Sequence, residues 1–407
     1  MSALDTAENA SWRERARNFA NEVIRPLAQK YDELQEYPWE IKEALADANM
    51  MGCWIPKEYG GQAGDSPVQN LCIIVEELSK ACPAIGVLYA VNALGSFPIL
   101  VGGTEEQKKR FLPDIATGKR LCAFCLSEKT AGSDAQGLKV RGISDGDGGW
   151  KIHGEKKWTT NGGAADIYTV FCVTDPESRS RRMSAFIVEK GMEGFSIGKV
   201  EDKMGIRAVP VVETVFDGVQ VTDDHLLGGK PGYGFKHAMM TLDRARPGVA
   251  AQGVGCAQGA LDLATVYAQR RQQFGKSISS FQMVQKMLAD MATKTQAARH
   301  LVYACARMLD EGHPNTTLIA AQAKLFATDV SMEVTTDAVQ IFGGYGFMKD
   351  YPIEKFMRDA KITQIYEGTN QVQRIVVARG ILREASGLAH LEAFIPEEVQ
   401  EVHEESE

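Results

Sequence analysis

The hydrophobic repeat of this chain changes period twice, and that constrains the fold more than any single motif. Residues 8 to about 118 carry apolar side chains three and four apart, as in LCIIVEELSKACPAIGVLYAVNALGSFPILVGG, with Pro83 and Pro98 as punctuation. The segment GTEEQKKRFLPDIATG adds a helix start signal at Thr104 followed by acids in the first turn. From about residue 121 the pattern shortens to alternation and brief apolar runs bounded by Gly, Asn and Asp, in GGWKIHGEKKWTTNGGAADIYTVFCVTD, MSAFIVEK, GFSIGKV and VVETVFDGVQV. From about residue 233 helical spacing returns. Val284, Met287, Leu288, Met291, Ala298, Leu301, Val302, Cys305 and Met308 form one apolar stripe on a long helix.

A helical period and a strand period cannot share one element, so the chain divides into an α+β multidomain architecture. Residues 1–120 read as an N-terminal helical domain, residues 121–232 as a middle antiparallel β-domain, and residues 233–385 as a C-terminal helical bundle. Residues 386–407 close the chain as an acidic tail whose last 16 positions hold seven Glu and no Lys or Arg, a composition that stays in water. At about 150 residues per domain, 407 residues suit two or three cores.

Composition removes several classes of function. A net charge of −8 argues against a broad basic face for nucleic acid. No apolar run is expected to reach the roughly 20 residues that would cross a bilayer. The opening MSALDTAENASWRERARNFANEV has neither a signal-peptide core nor the acid-poor character of a transit peptide, so the cytoplasm is the expected compartment. Cys122 and Cys125 in LCAFC are the one close pair among eight cysteines; no second pair follows, and they read as strand core in a reduced protein. There is no strand–GxGxxG–helix unit, Walker loop, HExxH or histidine cluster, and no metal site is expected. The Gly-rich stretches GGKPGYGF and FGGYGF border helices and on their own read as turns or close contacts.

With metals and hydrolytic triads set aside, a bound cofactor is the natural carrier of chemistry. The stretch ITQIYEGTNQVQR contains a single carboxylate, Glu367, among apolar and small neighbours. Desolvation raises the pKa of such an acid toward neutrality, which suits proton abstraction beside a carbonyl.

Six motifs in order, FCLSEKTAGSDA, KWTTNGG, KMGIRA, RRQQFGK, QIFGGYGF and IYEGTNQVQR, resemble the acyl-CoA dehydrogenase family, and the likeness runs from about residue 8 to 384. The resemblance implies a C-terminal four-helix bundle, noncovalent FAD, an acyl-CoA thioester substrate, electron transfer to an electron-transferring flavoprotein, and a homotetramer built as a dimer of dimers. It casts Glu367 as the base that removes the α-proton while flavin N5 accepts the β-hydride, with the Glu367 backbone N–H and a ribityl hydroxyl polarising the thioester carbonyl. Gly368 would allow close approach of the thioester. Phe124, Leu126, Ser127 and Ser133 would meet the flavin ring, with Ser133 also near substrate; Trp158 would pack on the ring and Thr160 would hydrogen-bond near N5. From the residues alone, Trp158 reads as β-domain core. Arg271, Phe274, Gln282, Gln340, Gly343, Gly344, Thr369 and Gln371 would hold the ADP half, some from a neighbouring subunit. Asp243 and Arg246 would lie near the pantetheine and the active centre.

Some family members place their base one residue before that arginine, where this chain has Ala245, leaving Glu367 as the candidate. Lys129 and Thr130 replace the family's usual Pro-Gly, and Ile85 stands where glutaryl-CoA dehydrogenases place a carboxylate-binding Arg. Fold relatives with other flavin chemistry, such as monooxygenases and desulfinases, usually lack the base; oxidases of this fold usually carry an added C-terminal domain; and a noncatalytic paralogue would not need intact flavin motifs. The length and shape of the acyl group stay open at this level.

Overall fold

The structure, a computed structural model, describes residues 5–394. Six helices open the chain: α1 (Ala7–Phe19), α2 (Arg25–Leu34), α3 (Trp39–Asp47), α4 (Pro67–Ala81), α5 (Pro83–Gly102) and α6 (Glu105–Ala116). Thr104 caps α6 as its sequence signalled: its hydroxyl accepts from Gln107 N while the Gln107 side chain accepts from Thr104 N.

One expectation is corrected in α5. Its 20 residues carry no charged side chain and are, by length and composition, apolar enough to cross a bilayer. Here 78 % of its apolar window is buried inside the protein, against α4, β1 (Cys122–Cys125) and the central helix of the C-terminal bundle. A helix enclosed by other elements is apolar all round for the same reason a membrane span is.

The middle part is a seven-stranded sheet: β1, β2 (Arg141–Ser144), β3 (Gly149–Thr160), β4 (Ile167–Val173), β5 (Met183–Glu189), β6 (Phe195–Val200) and β7 (Val211–Thr222). Its order is β1-β4-β2-β3-β7-β6, with β5 on β4. The sheet is mixed rather than purely antiparallel, because β1 and β4 run parallel and β2 meets β4 in parallel at Arg141 and Val173. The fully buried β4 reads as an unbroken apolar run, and such a run carries no information on strand direction. The Asn92 carboxamide on α5 joins the domains by accepting from Cys122 N at 3.0 Å and from Asn161 Nδ2 at 3.3 Å.

The C-terminal part consists of α7 (Gly234–Arg270), a small hairpin of β8 (Gln272–Gln273) and β9 (Lys276–Ser277), α8 (Gln282–Asp310), α9 (Thr316–Phe342), α10 (Ile353–Thr363) and α11 (Asn370–Glu384). The 37-residue α7 is the hub and packs on α4, α5, α8, α9 and α10. Gly255 and Gly259 make this possible: a Cβ on them would meet Glu76 O at 2.3 Å and Lys80 O at 2.4 Å on α4. A 3₁₀ segment, Ala385–Phe394, runs from the end of the bundle into the acidic tail; the rest of the tail, 395–407, lies outside the described residues.

The KMGIRA loop locks three regions together. Arg358 on α10 donates to Met204 O at 3.0 Å and to Asp32 of α2 at 2.7 Å, while Asp359 accepts from Ile206 N at 2.6 Å.

Candidate active site

Glu367 lies between α10 and α11 with a left-handed backbone, φ 52°, followed by Gly368 at φ 90°. A non-glycine residue there costs roughly 1–3 kcal/mol and persists only when its surroundings hold it. They do so from two sides. Gln373 Nε2 donates to Glu367 O at 3.3 Å and to Gly368 O at 2.9 Å, and Lys324 Nζ on α9 donates to Gly368 O at 2.8 Å and to Asn370 Oδ1 at 2.9 Å. Position 368 favours glycine because side chains rarely adopt its φ of 90°, and a Cβ there would also push the Gln373 amide aside. Thr369 caps α11 by accepting from Val372 N.

The Glu367 carboxylate is shut away from water at Oε2, which has no hydrogen-bond partner. Burial pushes its pKa up to about 7, against the opposing pull of the Lys324 and Arg246 cations. Arg246 on α7 is buried, is held by Asp243 Oδ1 at 2.9 Å and leaves its own Nε unpartnered; burial lowers its pKa. Asp243 Oδ2 in turn accepts from Thr317 Oγ1 at 2.6 Å. Behind Glu367, the Tyr366 hydroxyl donates to Gln252 Oε1, and Gln252 donates to Pro83 O at 3.3 Å. Sequence reasoning missed Lys324, Gln373 and Gln252. Lys324 was the detectable one, a lone cation in the small, apolar run IAAQAKLFATD.

On the β-domain, Trp158 is not core. It is half exposed, with φ 58°, where the β3–β7 register shifts between Lys156 and Thr159. That bulge turns the indole out of the sheet while Thr159 stays buried, and Thr160 pairs with Val211. Phe124 packs on Phe171 at 5.0 Å between ring centres. The loop after β1 is anchored by a buried ion pair, Lys156 to Glu128 at 2.7 Å, with Lys156 also donating to Leu126 O. Ser127 O accepts from Lys157 N at 2.9 Å. Lys129 and Thr130 form the exposed tip of a two-residue turn closed by Glu128 and Ala131, and neither needs a left-handed backbone. Ser133 is exposed just beyond it.

A cleft of about 570 Å³ opens at the far end of the bundle, lined among others by Tyr267, Arg271, Phe342, Gly343, Gly344 and Tyr345. A Cβ on either glycine would meet nothing within 4 Å, so the backbone there faces open space that a ligand can approach. Gln340 does not line this cleft, but its carbonyl accepts from the N–H of Gly343, which does. Phe274 and Gln282 do not line it; Phe274 is 93 % exposed at the β8–β9 tip and Gln282 is exposed at the start of α8. Thr369 and Gln371 line a second cleft of about 400 Å³ with Asp329, Lys361 and Arg374. The candidates thus form separate groups: the Glu367 loop with Arg246 and Asp243, the β-domain rim, and two clefts on the bundle. An extended ligand with an aromatic head and an anionic tail suits the last two kinds: exposed Trp158 for the ring, and Arg271 with a Cβ-free backbone for phosphates. Among the described residues no group of His, Cys, Asp and Glu could hold a metal, and Cys122 and Cys125 are buried and free.

The chain is similar to known proteins along most of its length. The family models for the acyl-CoA dehydrogenase N-terminal, middle and C-terminal domains match residues 6–119, 123–219 and 232–382. A probable acyl-CoA dehydrogenase of Mycobacterium leprae is 48 % identical over 376 residues, 92 % of this chain and 96 % of the relative. Butyryl-CoA dehydrogenase of Megasphaera elsdenii superposes with a TM-score of 0.91 at 43 % identity, covering 94 % of this chain and 100 % of that one. A chain from the structure reported for the electron transferring flavoprotein of Acidaminococcus fermentans also gives 0.91, at 47 % identity, with the same coverage.

Proposed function

The chain belongs to the acyl-CoA dehydrogenase family of FAD-dependent oxidoreductases, and from that premise we propose that Glu367 is the base that takes the α-proton of an acyl-CoA thioester on its way to the 2-enoyl-CoA. The observation that carries this reading is the Glu367 carboxylate itself, with one buried oxygen unpartnered and its basicity raised to about 7. A group in that range is ionised enough to accept a proton and basic enough to hold it. FAD, when bound, supplies the acceptor for the β-hydride. Trp158 and Phe124 would seat the ring, and Arg271, Gly343 and Gly344 would hold the phosphate end with Gln340 nearby, while Thr369 and Gln371, in the second cleft, would contribute from a neighbouring subunit. Arg246, clamped by Asp243, would support the base electrostatically without hydrogen-bonding to it. Gly368 keeps the space beside the base free of a side chain.

The name of the Megasphaera relative favours a short acyl chain, and that of the Acidaminococcus structure favours an electron-transferring flavoprotein as acceptor. Eight cysteines, all free and buried, favour a reducing compartment such as the cytoplasm. Exposed Phe274, Met283 and Phe347 favour assembly into dimers and a tetramer.

The decisive experiment is anaerobic bleaching of the flavin by a panel of thioesters from butyryl-CoA upward. The wild type should bleach fastest with a short chain. Glu367→Gln should keep FAD and bind thioester, yet bleach at least about a hundredfold more slowly. Near-normal bleaching in that variant would show that Glu367 is not the base. Relocating the acid in Ala245→Glu, Glu367→Gln should recover part of the rate, because Ala245 immediately precedes Arg246 on α7.

A further inference from the structure

Lys324 is fully buried in the middle of α9, where an unpaired ammonium would be costly. Its two hydrogen bonds run to Gly368 O and Asn370 Oδ1, on the loop that carries Glu367. Neither acceptor needs it for satisfaction alone: Gly368 O also accepts from Gln373 Nε2 at 2.9 Å, and Asn370 Oδ1 from Thr328 Oγ1 at 3.1 Å. A neutral side chain would fill the space more cheaply, so the charge calls for an explanation beyond packing.

The charged surroundings narrow it. Asp243 and Arg246 face the loop from α7, Lys324 and Asp329 from α9, and Tyr366 from the loop itself; Asp329 is occupied by Arg374 at 2.8 Å. Arg246 is likewise committed to Asp243. Among the described residues, Lys324 is therefore the cation beside Glu367 that hydrogen-bonds to no carboxylate.

We propose that Lys324 is a positioning residue for the base, clamping the Glu367–Asn370 loop through Gly368 O and Asn370 Oδ1 and supplying the positive charge that keeps the unpartnered carboxylate ionised. Burial lowers the Lys324 pKa to about 7, so its charge comes and goes in the range where the base titrates, and the two groups titrate as a coupled pair. The inference rests on Glu367 being the base.

The test is the pH profile of kcat/KM for the panel's fastest thioester, because its acid limb reports the free enzyme's base and any ionisation of the thioester is common to all variants. Lys324→Met removes charge and bonds, and Lys324→Gln removes the charge but keeps a donor. Both should retain FAD and move the acid limb upward by about one pH unit. Lys324→Arg, whose guanidinium keeps its charge throughout, should move the limb below its wild-type position. A rate that falls equally at every pH in the neutral variants, or does not change, would leave Lys324 a structural residue and overturn the inference. Should neither neutral variant fold, an unmoved limb in Lys324→Arg overturns it as well. If Glu367→Gln stays active, the base assignment fails; if Glu367→Gln is inert and the Lys324 limbs do not move, the Lys324 inference fails by itself.

Discussion

A carboxylate with a buried, unpartnered oxygen has a thermodynamic cost that can be read without substrate. The Glu367 pKa rises from 4.5 to about 7 on folding, so between those values the native state holds a proton that the unfolded chain has released. Stability from this group therefore falls as pH rises through that window and is lowest above it. Glu367→Gln does not titrate, so its melting temperature should match the wild type near pH 4 and exceed it at pH 8. The expected gain is about 1–3 kcal/mol, the upper value being the full shift at 1.36 kcal/mol per unit. Equal melting curves at pH 8 would mean that the carboxylate is solvated. Strain follows the same geography. Among the described residues seven non-glycine residues have positive φ, and five of them, Trp158, Asn161, Ile206, Phe274 and Glu367, fall inside the quoted motifs. For a tryptophan, an isoleucine and a phenylalanine this backbone is unusual. The motifs were legible as unusual strings, yet a string does not show that Trp158 points outward; the β3 bulge does that. Lys324 stands out in the sequence as a lone cation, but its role was illegible for a different reason. Its partners Gly368 and Asn370 lie more than forty positions away, and only the packing of α9 on the base loop joins them.

At the level of elements, the period of the hydrophobic pattern identified helices and strands well and said little about direction or surroundings. Thr104 announced α6 because capping is local, settled by Thr104 and Gln107 within one turn. The parallel pairing of β1 with β4 is non-local, and the burial of α5 depends on α7, which begins more than a hundred residues later. KMGIRA shows what a motif can do without lining any cleft described here. Gly205 lies so close to α10 that a Cβ would meet Arg358 O at 2.4 Å and Asp359 N at 2.7 Å, both backbone atoms that cannot swing away. Its neighbours are fixed by Arg358 and Asp359, and Lys355 and Asp359 form a buried pair beneath them. Gly205→Ala should therefore destabilise the protein by about 1–3 kcal/mol, measured by urea denaturation, by pushing the β-domain loop off α10. Unchanged stability would show that the loop yields freely and is not a lock.

At the scale of the whole molecule, the protomer leaves large apolar side chains in water on its last third. Phe274 is 93 % exposed, Phe347 80 % and Met283 70 %, and the first turns of α8 are only partly covered. Phe274 is the most informative of these because it is strained as well as exposed. It heads a two-residue hairpin turn with Gly275, both with positive φ, a place where Asn is the comfortable choice. A chain that keeps phenylalanine there accepts strain and exposed apolar surface together, which makes sense if a second copy buries the ring. Phe274→Asn should then leave the protomer as stable or slightly more stable while weakening association. Burying one such ring is worth about 1.5–3 kcal/mol, and a two-fold interface contains two, so the dimer dissociation constant should rise at least about a hundredfold. If the ring also helps close the cleft at Arg271 and Gly343 in the partner, the same variant should lose FAD on dilution in step with dissociation, as followed by sedimentation velocity at the protein and flavin absorbance bands. A variant that sediments as the wild type does and keeps its flavin would remove Phe274 from both the interface and the cofactor site.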